Sequence, residues 1–350
     1  MKRKKVFVAM SGGVDSSVAA ALLKRQGDSD VVGIYMKCWQ DGEYCTSERD
    51  AEDARLVAEK LDIPFYVFDF TREYREKVFE YMVREYAAGR TPNPDVFCNS
   101  EIKFGIFLEK CLALSADYIA TGHYVKKANT VSLYQAVDKN KDQSYFLWRL
   151  NQAQLKHVLF PIGDYLKSEV REMAREFGLP TAEKKDSQGL CFVGNVSFDE
   201  FLRDFIPKNP GPIMTASGKK VGRHDGFSFY TIGQRNGIGI GGGTPYYVAA
   251  KEPATNTLIV AEGSKDEGLF KKEIEVSDIN WISNQPQGLP LECEARIRYR
   301  QPLQKCRIQF GSEAFKLGVV FDEPQRAVTP GQSAVFYKEG ELLGGGIIVK

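Results

Sequence analysis

A chain of 350 residues, 43% of them apolar and with 47 basic residues against 46 acidic ones, is long enough for two or three folded domains and carries almost no net charge. The near cancellation excludes a chain-wide polybasic surface, so any patch for nucleic acid must be local. No apolar run approaches the roughly 20 residues a membrane helix requires, and MKRKK is followed by too short an apolar stretch for a signal peptide, so a cytoplasmic location is expected.

In chain order, VFVAM reads as a buried strand that turns through SGGVDSS into an alanine-rich helix. Gly12 and Gly13 carry no Cβ, so the turn can aim successive backbone N–H groups at an anion, and the first helical turn adds its own unpaired donors. A Walker loop is excluded, because Val14-Asp15-Ser16 offers an acid where that loop needs a lysine. A dinucleotide fingerprint fails for want of its third glycine. VVGIYM, a helix from Ser47, FYVFDF, a helix through Val78 and Tyr86, a loop, a further helix and DYIATGHY complete a βαβα pattern. Short apolar strands joined by helices predict a parallel sheet covered on both faces, with ligands at the carboxyl ends of its strands. In the Ser47 helix, Ala51, Ala54, Val57, Ala58 and Leu61 fall on one face and Ser47 is placed to cap the start.

The proline-rich loop TPNPDVFCNSEIKF follows, in which Cys98-Asn99-Ser100 are expected to open a helix. A cysteine at a helix start is predisposed to be a thiolate. Asp95 is placed to move a proton on a substrate held in that loop. Beyond a helix-rich stretch from Gln152 to about Phe177, the segment Asp186–Gly194 reads as a loop carrying Cys191, with Lys184 and Lys185 near enough to favour its anion. Residues 98 and 191 are far apart in sequence, and nothing local proves that they meet. The other cysteines, Cys38, Cys45, Cys111, Cys293 and Cys306, are scattered without a CxxC pair, which argues for thiols rather than a zinc site or disulfide framework. From Asn209 to Gly243 glycine and proline become frequent and short strands are expected. From Ile274 the pattern alternates, and Arg296, Arg298 and Arg300 are predicted to share one strand face, as are Lys305 and Arg307, in a small antiparallel barrel.

The loop SGGVDS resembles the pyrophosphate loop of ATP pyrophosphatases, which cut ATP between its α and β phosphates. Six blocks in one order, SGGVDSS, TPNPDVFCN with EIKF, ATGHY, KDQSYFL, DSQGLCFVG and YTIGQRNGIGIGG, resemble the tRNA-specific 2-thiouridylase family over most of the chain. The resemblance implies an α/β fold: an adenine-nucleotide hydrolase-like catalytic domain over 1–205, a central domain over 206–272 and a β-barrel over 273–350. It implies ATP bound by Ala9, Met10, Ser11, Gly12, Gly13, Val14, Asp15 and Ser16, with Met36 against the base and Gly122 at a later strand end. Magnesium would neutralise the pyrophosphate, with Asp15 beside it. A persulfide on Cys191, loaded by an upstream donor protein, would supply sulfur to uracil C2; Cys98 would be the nucleophile, attacking that persulfide either to release sulfide or to close a disulfide with Cys191 as the thiolated base departs, and Asp95 the acid/base. Asn93, Pro94 and Asp95 would hold the flipped-out base, and His123, Lys141, Asp142, Gln143, Arg298, Tyr299 and Gln332 would contact the tRNA. Two other classes share the loop or the fold: a synthetase that transfers nitrogen, and a non-catalytic RNA-binding protein.

Overall fold

The computed structural model describes residues 3–39, 47–128, 131–185, 198–241, 243–283, 288–313 and 315–350. Strand β1 (Lys4–Ala9) is buried from Val6 onward on both faces, which its unbroken apolar run requires. Phe7 and Ala9 enter one core, with the helical residues Phe79, Ile102 and Phe107; Val6 and Val8 enter the other, with α1 (Val14–Gln26) and α2 (Ser47–Lys60). β2 (Ser29–Lys37), β3 (Phe65–Asp69), β4 (Tyr118–Thr121) and a two-residue β7 (Val158–Leu159) complete a parallel sheet in the order β3-β2-β1-β4-β7. The chain reverses its winding between β1 and β4, so the loop after β1 opens into the crevice at a topological switch point. The face predicted for α2 is confirmed, with Ala54, Val57 and Ala58 buried.

The hairpin of β5 (Val125–Ala128) and β6 (Ser132–Gln135) leaves this sheet and joins another. In the central region β8 (Gly211–Thr215), β9 (Lys220–His224), β10 (Tyr246–Glu252) and β11 (Thr257–Glu262) form a four-stranded sheet in the order β10-β11-β8-β9. The C-terminal region is a closed antiparallel barrel of β12 (Phe270–Trp281), β13 (Leu291–Arg296), β14 (Gln304–Phe310), β15 (Leu317–Arg326), β16 (Ser333–Lys338) and β17 (Glu341–Ile348), closed by β12 against β17. Its alternating strands send Ile274, Val276, Ala295, Ile308, Val319 and Phe336 inward. The β5–β6 hairpin is added to the barrel sheet, with Tyr134 opposite Glu341 and Gln135 N–H bonded to the Gly340 carbonyl at 2.9 Å.

The predicted arginine ridge does not exist. β13 ends at Arg296, whose side chain is buried, and a turn follows in which Gln301 N–H bonds the Arg298 carbonyl and Arg300 takes a left-handed φ of 63°. Lys305 and Arg307 do share the outer face of β14, but they lie opposite Glu294 and Glu292 of β13, which offset them. Among the described residues no helix is long and apolar enough to cross a membrane.

Candidate active site

The loop after β1 is built around a backbone no side chain could follow. Gly12 has φ 72°, and a Cβ there would stand 2.2 Å from the Asp50 carbonyl oxygen of α2. Gly13 is the N-cap of α1 and supplies no side-chain acceptor, while the Ser16 and Ser17 hydroxyls turn back to the Gly13 carbonyl at 3.2 and 2.8 Å. The first-turn N–H groups of a 13-residue helix are therefore left for an external anion. Ser11 N–H is tied to Ser16 Oγ at 3.1 Å, which fixes the turn. Met10 is buried, with its sulfur where a Cβ on Gly33 would stand, so only its backbone faces the loop. Met36 lies half-buried near the carboxyl end of β2. Gly122, just after β4, approaches the same turn so closely that a Cβ would lie 2.5 Å from Ser16 N and 2.7 Å from the Asp15 carbonyl carbon.

Asp15 is not an open magnesium ligand. Its Oδ1 accepts the Tyr124 hydroxyl at 2.8 Å and the Lys167 ammonium at 2.6 Å. Among the described residues no cluster of three His, Cys, Asp or Glu side chains could hold a metal. Magnesium that arrives on a nucleotide needs few protein ligands, because it keeps waters and binds the phosphates.

The second half of the site is the helical run 94–113. It begins earlier than expected: Asn93 is the N-cap and Pro94 the first helical residue, so the first turn carries Asp95 and not Cys98. Cys98 opens a π-helical stretch, Cys98–Ile106, and is buried. The widened turn brings the Ser100 carbonyl to 2.8 Å from where a Cβ on Gly105 would be. Asp95 and Cys98, three residues apart, lie on one helix face. Asp95 is reached by water yet crowded by protein, and this desolvation pushes its carboxyl above the usual carboxylate range, against the opposing pull of the Lys103 ammonium.

His123 follows Gly122 directly and joins the two halves. Its ring packs against Phe104 of the 94–113 run and Phe160, with centroids 5.7 and 6.3 Å apart, and Nδ1 is 2.8 Å from Thr121 Oγ1. Burial first, and Lys103 second, hold its pKa well below the ordinary value, so it is a neutral imidazole. One dipeptide thus touches the loop after β1 with Gly122 and the cysteine helix with His123.

The barrel fixes the loop before that helix. Gln332 Nε2 donates to the carbonyls of Thr91 and Pro92 at 2.9 and 3.2 Å, Thr91 N–H bonds the Pro330 carbonyl at 2.9 Å, and a Cβ on Gly331 would meet the Thr91 backbone at 2.9 Å. Arg298 gives one guanidinium nitrogen to the Ile232 and Ala327 carbonyls and to Thr329 Oγ1, at 2.7 to 3.0 Å. Asp142 is wholly buried against Arg296 at 2.9 Å, while Gln143 Oε1 accepts Tyr124 N–H at 3.0 Å. The side chains of Gln332, Arg298 and Asp142 are thereby spent on joining domains, and the partly exposed Lys141 and Tyr299, the latter packed on Phe146 with centroids 4.5 Å apart, stand beside them.

Residues 4–195 match the tRNA methyl transferase HUP domain family, 199–262 the tRNA methyl transferase PRC-barrel domain family and 271–348 the aminomethyltransferase β-barrel domain family. The chain is 50% identical over 351 residues to tRNA-specific 2-thiouridylase MnmA of Geobacillus thermodenitrificans, covering 98% of this chain and 94% of that protein. It is 50% identical to the enzyme of that name from Burkholderia pseudomallei (99% and 94% covered) and 48% identical to that of Streptococcus thermophilus (99% and 95%). The chain belongs to the tRNA-specific 2-thiouridylase family. The full-length likeness outweighs the methyl-transfer wording of the domain families because it spans all three domains at once.

For this thiouridylase-family chain, Cys191 and its loop, and Cys45, lie outside the described residues. Lys184 is bound to Asp50 and Asp53 of α2 at 2.7 and 2.5 Å, bracing the helix whose backbone abuts Gly12. Cys38 packs at the edge of the core, and Cys111 is a core thiol that burial pushes up to about 12. Cys293 and Cys306 face each other across the barrel strands with sulfurs 3.7 Å apart. Reading the sequence missed Lys103, Tyr124 and Lys167. Lys103 had a signal, standing five residues beyond Cys98 in the quoted EIKF block.

Proposed function

We propose that this chain catalyses ATP-dependent 2-thiolation of the wobble uridine in tRNA: adenylation of uracil O2, then sulfur transfer, giving 2-thiouridine, AMP and pyrophosphate. The observation that carries the reading is the Gly122-His123 junction, which sets a phosphate-binding turn beside a helix bearing a cysteine and a carboxyl group. ATP would be held by Ala9–Ser16 with Met36 and Gly122, and magnesium, brought with the nucleotide, would offset the charge of the departing pyrophosphate. Asn93, Pro94 and Asp95 would cradle the extruded base, which must leave its stack to be reached. Asp95, kept protonated further up the pH scale by its crowding, is suited to exchanging a proton with the uracil amide.

A donor protein would load Cys191 as a persulfide. Either its terminal sulfur attacks C2, expelling AMP, and Cys98 then attacks the Cys191 sulfur to free the thiolated base, or Cys98 attacks first and releases hydrosulfide that attacks C2. Both routes leave a Cys98–Cys191 disulfide, which an external thiol must reduce before the next cycle. Contacts to tRNA are assigned to His123, Lys141, Asp142, Gln143, Arg298, Tyr299 and Gln332, several of them through the backbone and shape they hold rather than through a free side chain. Residues 1–205, 206–272 and 273–350 are the working units, in the cytoplasm.

The test is nucleoside mass spectrometry of tRNA incubated with the protein, ATP, magnesium and a persulfide donor. An oxygen-to-sulfur mass change is expected, and it is lost in Cys98→Ser and Cys191→Ser while ATP binding persists. An oxygen-to-nitrogen change would instead select the synthetase reading, and normal thiouridine from either cysteine variant would refute the sulfur route.

A further inference from the structure

The phosphate-binding turn lacks the lysine that a Walker loop carries at its helix start, and Val14-Asp15-Ser16 stand there instead. The fold brings an ammonium to that turn from 152 residues away. Lys167 Nζ lies 2.6 Å from Asp15 Oδ1, its side chain only 12% exposed and that of Asp15 32%. Its backbone is fixed: Lys167 is the first residue of the helix Lys167–Glu176, and its N–H bonds Asp138 Oδ2 at 3.0 Å. Only the long side chain is left to move. Tyr124 donates to the same Asp15 oxygen at 2.8 Å, and its ring lies 5.9 Å from the ammonium, so Asp15 keeps a neutral donor when the lysine departs.

We propose that Lys167 is the phosphate-binding cation of this loop, held by Asp15 until the polyphosphate of ATP takes its place. The proposal rests on the ATP reading above. A triphosphate held on the first-turn N–H groups beside Asp15 carries several negative charges against one on that carboxylate, so exchange of partners is favourable. Negative charge grows on the pyrophosphate as the α–β bond breaks, and a nearby ammonium stabilises that departure.

Binding of metal-free ATP, inorganic pyrophosphate and AMP to the full chain, measured by calorimetry, tests it. Lys167→Met is expected to weaken ATP and pyrophosphate about tenfold or more while AMP changes less than about twofold, and Lys167→Arg to restore part of the loss. Asp15→Asn removes the competing carboxylate and is expected to leave pyrophosphate binding equal or tighter. A purely bracing ion pair predicts the reverse: both variants weaken all three ligands alike, and that result overturns the proposal. Should Lys167→Met not fold, Asp15→Asn decides alone, since weaker pyrophosphate binding there refutes the exchange. These measurements need no tRNA, so they separate from a failure of the thiolation reading, which would show as wild-type protein producing no thiouridine.

Discussion

Replacing Arg296 by methionine should loosen the join between the catalytic domain and the barrel. The guanidinium is 8% exposed and lies 2.9 Å from Asp142 Oδ2, which is itself 0% exposed. Asp142 also accepts Gln135 Nε2 at 3.0 Å and the backbone N–H groups of Ala136 and Ser144, both at 3.2 Å. Removing one partner of a buried pair costs ~3–5 kcal/mol, because the other charge is left in low dielectric. Three donors remain on Asp142, which places Arg296→Met at the lower end, about 3 kcal/mol. Adding Asp142→Asn removes the stranded charge, so the double variant should recover at least about 1 kcal/mol relative to the sum of the singles. Urea unfolding with midpoint and slope fitted separately is the assay. A loss below about 1 kcal/mol in Arg296→Met, or strict additivity in the double variant, would refute the claim that this pair is a buried ion pair of the interface.

Two further outcomes follow from the site. Gly12→Ala should abolish tight ATP binding and lower the melting temperature, since the left-handed backbone costs about 1–2 kcal/mol for any residue with a Cβ and the Asp50 carbonyl stands 2.2 Å away; wild-type affinity in that variant would contradict the loop geometry. His123 has its folded pKa depressed, so below the unfolded value of ~6.5 the unfolded state takes up the proton first and stability falls as pH drops, by at most about 1.4 kcal/mol per unit. His123→Gln should flatten the stability profile between about pH 5 and 6.5, and an unchanged slope would show that the imidazole is not held neutral.

The parts legible in the sequence were those written in neighbouring residues. VFVAM-SGG announces a buried strand and a turn that needs glycine, and both appear where the pattern puts them. The start of the cysteine helix was legible too, but in Asn93-Pro94 rather than in Cys98, because proline is suited to the first helical position. What misled was alternation. ARIRYR continues the period of β13 past the point where the backbone turns, and periodicity alone does not say that Arg296 is buried against a carboxylate 154 residues earlier. Lys167 and the β5–β6 hairpin were invisible for the same reason, since their roles are created by long-range packing with no local signature.

The bond from Gln332 to the Thr91-Pro92 carbonyls, together with the β6–β17 pairing, bears on when during synthesis the protein becomes competent. The ATP turn and the Cys98 helix emerge from the ribosome with the first third of the chain, yet the braces that set the loop before that helix lie at residues 329–341. A nascent chain would therefore carry a nucleotide site and an exposed reactive segment that are not yet held in working register. Competence would come in one late step, when the barrel closes.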